Sequence, residues 1–476
     1  MAAKLERIGD VVWELGRGAR TDMNVPVRVL ADEVLVEQIR NDKSIEQLVN
    51  VTTLPGITRF AIGMPDMHEG YGFPVGGVAA TLLPDGVISP GGIGFDINCG
   101  VRLLATPVRR AELDDVEPLV HELSRAIPVG YGRGGRVALE RDDLDHLLGE
   151  GCAWLVRERG FGRAEDLELI ESRGALGGAD ASNVSDRAKE RGHDQLGTLG
   201  GGNHIIEVQI VAKVLDAAAA SALGLFEGQI TVLIHTGSRG LGHQVCTDYV
   251  RTMDVALARH GIVLPDRQLA CAPLSSREGR DYFAAMCAAA NFAFCNRQLL
   301  THRVRETFDR VVGRGVGDRV SIVYDVAHNI AKIERYGARD LCVHRKGATR
   351  AFGPSSAEIP ARYRDVGQPV FIPGSMGTAS FVMVATDAAR DISFSSSCHG
   401  AGRALSRTAA KRRVDGGALR RELEARGIVV RCPSAAGLAE EAPVAYKDVD
   451  RVVDVVARAG IARKVARLEP IGVVKG

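Results

Sequence analysis

Long apolar runs, paired cysteines and an excess of charge are all lacking in this sequence of 476 residues. Its apolar stretches, such as ITVLI at 230–234, are far shorter than the ~20 residues of a membrane-spanning helix. The first residues, MAAKLERIGDVVWEL, are charged and amphipathic, which argues against a secretory signal. We therefore expect a soluble, cytoplasmic protein with no membrane partner.

The nine cysteines include no CxxC pair and form no compact framework, so a disulfide scaffold is not expected. The net charge is only +1, and any binding of nucleic acid therefore requires a local basic face. No fixed-period repeat and no Pro- or Ser-rich linker divides the chain. These absences favour one integrated domain over residues 1–476.

Glycine is abundant: 55 residues of 476, about 12%, against an average of ~7%. Short apolar strands joined by glycine-rich turns occupy residues 58–104, and further strands alternate with helices towards the C-terminus. Apolar spacing predicts helices over 110–127 and 141–159, and residues 243–313 read as largely helical. The prediction is an α+β fold with mixed sheets around a central metal cleft, flanking helices, and helical insertions at about 110–160 and 243–313.

One candidate site begins in GGIGFDINCGVRLL, where Asp96 and Cys99 stand three residues apart between glycines. His204, His235 and His328 follow glycine turns or end apolar strands, so they could face the same cleft. A thiolate, imidazoles and a carboxylate suit zinc, manganese or iron. The sequence predicts a two-metal site in which Cys99 bridges both ions, Asp96 binds one of them, His204 and His235 share a sphere, and His328 lies in the other. The alternatives are ordinary satisfied histidines and a buried structural thiol.

A second candidate site is SSSCHGAGRALSRTAAKRR, in which His399 precedes a predicted helix. Arg403, Arg407 and Lys411 follow at intervals of four, which predicts one basic helical face, with Gly400 and Gly402 at the helix start. The alternative is a solvated cationic surface. Further candidate phosphate contacts occur in RGH, in HTGSRG and in HRKGATRAF; they are Arg191, Arg239, His344, Arg345, Lys346 and Arg350.

Many linked blocks of the chain resemble the RtcB-type RNA-splicing ligases. They are MPDMHEGYGFPVGG, GGIGFDINCGVR, LGGGNHIIE, HTGSRGLGHQV, DVAHNIAK, HRKGATRAF, PGSMGTASFV, SSCHGAGR and the lysine near the C-terminus. The resemblance implies a GTP- and manganese-dependent enzyme that joins an RNA 3′-phosphate or 2′,3′-cyclic phosphate end to a 5′-hydroxyl end. The motifs leave open the natural RNA and any activating protein partner.

The resemblance also implies a role for each matching residue. The nucleophile that becomes linked to GMP is His399, and the ligands of two Mn²⁺ ions are Asp96, Cys99, His204, His235 and His328. The implied guanylate contacts are Asn203, Glu207, Asn329, Ser375, Ser380, Tyr446, Lys475, His399 and Gly400. The implied contacts to RNA phosphates are Arg191, Arg239, Lys346, Arg403 and Arg407.

The sequence departs from the family pattern at two positions. Ile205 follows the GGGNH histidine where an aromatic residue is common, and Glu69 replaces the usual glutamine of DMHEG. Two other functions fit parts of the pattern. A metal-dependent cyclic phosphoesterase would use the metal cluster without His399 or a guanine pocket. A non-catalytic paralogue that binds RNA ends would not need an intact ligand set.

Overall fold

The computed structural model describes residues 5–130, 134–135, 137 and 139–476. Residues 1–4, part of the segment that argued against a secretory signal, lie outside the described residues. Among the described residues, no helix combines the length and the apolar character needed to cross a bilayer.

Two large sheets form the centre of the fold. The strands are β1 (Glu6–Arg7), β2 (Val12–Leu15), β3 (Val27–Leu30), β4 (Ala61–His68), β5 (Val75–Leu82), β6 (Val87–Ile88), β7 (Gly100–Arg109), β8 (Ile205–Val214), β9 (Gln229–Thr236), β10 (Ala272–Pro273), β11 (Ser321–Ala327), β12 (Asn329–Tyr336), β13 (Arg339–Lys346), β14 (Ala348–Arg350), β15 (Pro369–Ile372), β16 (Ser380–Ala385), β17 (Ser396–Cys398), β18 (Val429–Arg431) and β19 (Ala462–Lys475). The first sheet has the order β1-β2-β3-β4-β5-β13-β12, and the second has the order β11-β7-β9-β8-β19-β16-β15, with β18 beside β19.

Helices flank both sheets. They are α1 (Glu33–Arg40), α2 (Ser44–Val51), α3 (Glu117–Ala126), α4 (Arg141–Glu150), α5 (Cys152–Arg159), α6 (Asp186–Gly192), α7 (Ala217–Leu223), α8 (Arg239–Arg259), α9 (Arg277–Val311), α10 (Ala389–Ser393), α11 (Arg407–Arg413), α12 (Gly416–Ala425), α13 (Ala435–Glu440) and α14 (Val449–Arg458). The predicted α+β class, with mixed sheets and flanking helices, is confirmed, and α8 and α9 account for the helical region predicted over 243–313.

The helices predicted over 110–127 and 141–159 are shorter than expected. The first begins only at Glu117, with Pro118 in its first turn, where the missing N–H of proline costs no hydrogen bond. The second is broken at Gly151, whose φ of 64° ends α4 and begins α5. Apolar spacing continues through both interruptions, so periodicity alone does not reveal them.

The two sheets meet at His328. This residue separates β11 of the second sheet from β12 of the first, so one short segment joins them. Beneath this junction, α9 contributes Arg297, which is fully buried and pairs with Asp325 on β11. Arg102 on β7 also pairs with Asp325, at 2.7 Å. A buried carboxylate between two guanidinium groups therefore ties β7, β11 and α9 together.

Candidate metal centre and nucleotide cavity

The turn that carries Asp96 and Cys99 is held by the buried Arg297. The guanidinium of Arg297 donates to the carbonyl of Asn98 (2.9 Å), to its side-chain oxygen (2.9 Å) and to the carbonyl of Thr236 (2.8 Å). Asn98 has a φ of 51°, a left-handed conformation in which asparagine is less strained than most residues. Arg297 therefore fixes the turn against the end of β9, next to His235.

The three predicted histidines converge on this turn. His204 Nε2 lies 2.7 Å from Asp96 Oδ2 and 3.5 Å from Cys99 Sγ. His235 Nε2 lies 3.3 Å from Cys99 Sγ and 3.4 Å from His328 Nε2. Cys99 and the three imidazoles are buried, which is unusual for so many polar groups unless they bind something.

Potential ligand atoms fall into two triads that share Cys99. One consists of Cys99, His235 and His328, and the other of Asp96, Cys99 and His204; within each, the atoms lie within 4.8 Å of one another. A shared thiolate between two ions was predicted. The predicted pairing of His204 with His235 in one sphere is wrong, because His235 groups with His328.

The electrostatics of the cluster suit a cation. Burial and the neighbouring imidazoles, including that of His399, lower the pKa values of His235 and His328 well below the ordinary value, so both rings are neutral donors near pH 7. Burial opposes ionisation of Asp96, but the charge and hydrogen bond of His204 outweigh it and lower the pKa of Asp96. Burial and Asp96 raise the pKa of the Cys99 thiol, and a bound cation would reverse that shift. His328 Nδ1 has no hydrogen-bond partner among the described residues. The donor set therefore fits two transition-metal ions.

His399 follows β17 and lies beside this cluster. The centroids of its ring and the His328 ring are 4.8 Å apart. Its Nδ1–H donates to Asp66 Oδ2 (2.7 Å), and its backbone N–H donates to the same oxygen (3.1 Å). Because Nδ1 is engaged, Nε2 is left with the lone pair that a nucleophile needs.

A cavity of about 750 Å³ opens over His399, His235 and His328. Of the predicted guanylate contacts it is lined by Asn203, Glu207, Asn329, Ser375, His399, Gly400, Tyr446 and Lys475. Ser380 lies just behind this wall, where its hydroxyl accepts from Gln209 Nε2 (3.1 Å). Ile205 and Glu69, the two departures from the family pattern, also line the cavity.

Glu207 is the buried acid of the cavity wall. Burial raises its pKa to about 7, against the opposing influence of the hydrogen bond from Gln209 and the charge of Lys475. Gln209 Nε2 donates to Glu207 Oε2 at 2.8 Å. Lys475 donates to the carbonyl of Gly202, so the end of the chain is attached to the loop that carries Asn203. A carboxyl and an ammonium group therefore both line the cavity.

Only some of the predicted phosphate-binding cations line the cavity. Lys346, Arg403 and Arg407 line the cavity. Arg191 and Arg239 are not among the lining residues; Arg191 donates to Gln244 (3.0 Å), and Arg239 Nη1 lies 3.4 Å from His204 Nδ1. Arg239 therefore contacts the ring nitrogen of His204 that faces away from Asp96 and Cys99.

The predicted phosphate contacts in HRKGATRAF are wrong for three residues. Arg345 is buried and pairs with Glu334, Arg350 is buried and donates to Gln368 (3.0 Å), and His344 is also in the core. Of the four predicted contacts only Lys346 lines the cavity, next to Gly347. Burial lowers its pKa to about 7, and its ammonium group donates to the carbonyls of Tyr71 and Gly91.

The basic helical face predicted at Arg403, Arg407 and Lys411 does not exist as such. Ser406 caps α11 by accepting from the N–H of Ala409, so the helix begins at Arg407 and leaves Arg403 outside it. Gly400 and Gly402 therefore do not lie at a helix start. The three cations instead meet the acidic pair Glu440 and Glu441.

Sequence reasoning missed two residues of the site. Asp66, on β4, holds the His399 ring, and His68 lines the cavity with its Nδ1 2.9 Å from the Asp66 carbonyl. Burial lowers the pKa of His68 to about 4, so this ring is neutral. Both residues belong to MPDMHEG, where acidic and imidazole groups on a buried strand were the available signal.

Known proteins resemble this chain over most of its length. The family described as tRNA-splicing ligase RtcB matches residues 47–476. The chain is 52% identical to the tRNA-splicing ligase RtcB of Archaeoglobus fulgidus over the full length of both chains, and 52% identical to that of Thermococcus kodakarensis over 99% of each. It is 53% identical to the RNA-splicing ligase RtcB of Mycobacterium tuberculosis over 90% of this chain and all of that one. This chain belongs to the RtcB family.

Proposed function

We propose that this protein is an RNA ligase that uses GTP and two Mn²⁺ ions to join a 3′-phosphate or 2′,3′-cyclic phosphate end to a 5′-hydroxyl end, in tRNA splicing or RNA repair. One observation carries the proposal. The His399 ring lies in a cavity directly beside a buried cluster of potential metal ligands, and a buried carboxylate fixes its orientation.

His399 is the nucleophile in this proposal. Its Nε2 attacks the α-phosphate of GTP, a P–N bond forms, and pyrophosphate leaves. Asp66 accepts the Nδ1–H throughout and stabilises the positive charge that develops on the ring. The covalent step divides a difficult reaction into easier ones, because a phosphate end has an unactivated leaving group.

The guanylyl group then moves to the RNA. An oxygen of the 3′-phosphate attacks the guanylyl phosphorus, which breaks the P–N bond and frees His399. The 5′-hydroxyl attacks the activated phosphate and GMP leaves. A cyclic end would first be hydrolysed to the 3′-phosphate.

The buried cluster would hold the metal ions. Asp96, Cys99 and His204 would bind one ion, and Cys99, His235 and His328 the other. When bound, the ions would supply Lewis-acid stabilisation of the phosphoryl charge. Arg297 and Arg239 keep the ligands in place from behind.

The guanine base would be read by the polar wall of the cavity. We assign guanylate contacts to Asn203, Glu207, Asn329, Ser375, Ser380, Tyr446, Lys475 and Gly400. Glu207 is suited to guanine because a carboxylate accepts from adjacent ring N–H and amino groups, which adenine does not present together. GTP should therefore support labelling and ligation far better than ATP does.

RNA phosphates would be bound by Arg191, Arg239, Lys346, Arg403 and Arg407. Arg403 and Arg407 are paired with Glu441, so a phosphate must compete with that carboxylate. Arg239 is buried and contacts His204, so a phosphate bound there would lie close to the metal ligands.

We also propose that residues 1–476 act as one cytoplasmic catalytic unit. The cavity draws on segments from Asp42 to Lys475, which supports a single unit. All nine cysteines are free and buried, as is usual in a reducing compartment.

The decisive experiment is covalent labelling with radioactive GTP and Mn²⁺, followed by ligation of a 3′-phosphate RNA to a 5′-hydroxyl RNA. We expect His399→Ala to abolish both, and His121→Ala, an exposed histidine on α3, to affect neither. Labelling that persists in His399→Ala would refute the nucleophile. Opening of cyclic phosphates by a protein that neither labels nor ligates would favour the phosphoesterase alternative.

A further inference from the structure

Three aromatic side chains form a cluster at the cavity, and two of them, Tyr71 and Phe95, line it. Phe95 stacks on His243 with ring centroids 5.6 Å apart and an interplanar angle of 26°. Tyr71 packs edge-on against Phe95, with ring centroids 5.3 Å apart and an interplanar angle of 64°. We call Tyr71, Phe95 and His243 the aromatic platform.

The platform is only partly covered by protein. Tyr71 and Phe95 are half-buried and line the cavity, and His243 is exposed. Most other phenylalanines of this chain are buried in the cores, as Phe73 and Phe292 are. An apolar ring left open to a cavity loses the free energy of burial unless a ligand covers it.

Lys346 fixes the platform in place. Its ammonium group donates to the carbonyls of Tyr71 and Gly91 and lies 5.9 Å from the centroid of the Tyr71 ring. Gly94, immediately before Phe95, has a φ of 95°, and a side chain there would touch the Lys346 methylenes. The two rings are therefore held on loops that share one cation.

The platform adjoins the chemistry. Phe95 immediately precedes Asp96, whose carboxylate lies 2.7 Å from His204 in one metal triad. A nucleotide with its base on Phe95 would have its phosphate within reach of that triad and of Lys346. Tyr446, by contrast, contacts Arg403 and Glu441, so the aromatic residue assigned to guanine has different neighbours.

We propose that the aromatic platform stacks the terminal nucleobase of an RNA end during ligation. This inference rests on the proposed function. Proteins that bind single-stranded RNA stack unpaired bases on aromatic rings, and such stacking tolerates any base. A ligase that accepts ends of different sequence needs this kind of contact, because hydrogen bonds to base edges would restrict its substrates.

The variants that test the platform are Phe95→Leu and Tyr71→Leu, which keep apolar bulk but remove the ring. We expect each to raise the KM for RNA in ligation by about tenfold. Labelling by GTP should change by less than about twofold. Phe161→Leu is the matched control, because Phe161 is also half-buried and also contacts a histidine, His302, at 5.2 Å.

A fluorescence experiment measures stacking without catalysis. RNA with 2-aminopurine as its terminal base is titrated with protein and Mn²⁺ in the absence of GTP, in one arm at a 3′-phosphate end and in another at a 5′-hydroxyl end. Quenching in one arm that disappears in Phe95→Leu and in Tyr71→Leu, but not in Phe161→Leu, would support the platform and identify the strand.

Two results would overturn the proposal. One is quenching that survives in both variants. The other is a rise in the GTP concentration required for labelling with an unchanged KM for RNA, which would assign the rings to the nucleotide. If the wild-type protein failed to label with GTP at all, the proposed function would fail, while quenching would still report on the platform.

Discussion

At the scale of single residues, the contact between Asp66 and His399 has the clearest consequence. Asp66 is fully buried, and one of its oxygens accepts two hydrogen bonds from His399. In Asp66→Asn the amide oxygen can keep these contacts, but the negative charge is lost. We expect the rate of covalent GMP labelling to fall by about 10²-fold or more, because the ring becomes positively charged as it attacks. Single-turnover labelling measures this rate.

The control for this change is a carboxylate that lies close by without touching His399. Asp42 lines the cavity and accepts from the N–H of Glu69. Asp42→Asn should leave the labelling rate within about threefold of the wild-type rate. Equal effects of the two substitutions would show that Asp66 acts only through the overall charge of the cavity.

Glu207 gives a prediction about pH. Its pKa of about 7 in the folded protein exceeds the value near 4.5 of an exposed glutamate, so the folded state binds this proton more tightly than the unfolded chain does. Its contribution to stability is therefore fully present below about pH 4.5 and is lost as pH rises through about 7.

Glutamine cannot ionise, so Glu207→Gln should gain stability relative to the wild type between pH 5 and pH 8. We expect a gain on the order of 1 to 3 kcal/mol in the free energy of unfolding, measured by urea denaturation without nucleotide at both pH values. A difference that is the same at pH 5 and pH 8 would contradict the raised pKa.

Sequence reasoning identified residues whose chemistry is visible in their type and missed those whose role depends on burial. Cys99, His204, His235 and His328 stand out as soft donors beside glycines, and they do come together. Asp66 resembles any other aspartate in the sequence. Its importance comes from complete burial on β4 opposite His399, 333 positions away, and no local pattern reports such a contact.

At the scale of elements, the buried ion group of Arg102, Arg297 and Asp325 joins β7, β11 and α9. Asp325→Asn would leave two fully buried guanidinium groups facing a neutral amide. Breaking a buried ion pair from one side costs about 3 to 5 kcal/mol, and we expect a loss of stability of that size in urea denaturation.

An exposed pair provides the comparison. Asp318 is 81% exposed and pairs with Arg163 at 3.2 Å. Asp318→Asn should cost less than about 1 kcal/mol, because water already solvates the carboxylate. Similar losses in both variants would mean that Asp325 does not hold the three elements together.

Element boundaries show where periodicity misleads. Arg403, Arg407 and Lys411 have helical spacing, yet Ser406 caps the helix after Arg403 and Gly402 has a φ of 75°. The cations still act together, because Glu440 and Glu441 approach them from α13 and the residue that follows it. That grouping depends on tertiary contacts, which spacing along one segment does not contain.

At the scale of the whole molecule, the sequence predicted the α+β class but not how its two sheets meet. Strand patterns of the kind in IIEVQIV and ITVLIHT predict strands directly, and these are central in the second sheet. The order of strands depends on pairings over long sequence distances, such as those of β11 with β7 and of β13 with β5. The glycine-flanked donors predicted that the potential metal ligands converge. Their division into two triads could be read only from the three-dimensional arrangement.

The metal cluster bears on the stability of the whole molecule, because His328 lies where the sheets join and the other ligands come from segments next to β7, β8 and β9. An ion that binds only the folded state stabilises it by about 2.7 kcal/mol at 100 times its Kd. For a chain of this length that corresponds to a rise in Tm of about 3 °C.

We expect Mn²⁺ to produce such a rise in chelator-treated protein and to produce none in Cys99→Ala, which removes the donor shared by both triads. Cys271→Ala, the loss of another buried thiol outside the cavity, should keep the full rise. A normal rise in Cys99→Ala, together with a normal manganese content, would mean that the ions bind elsewhere.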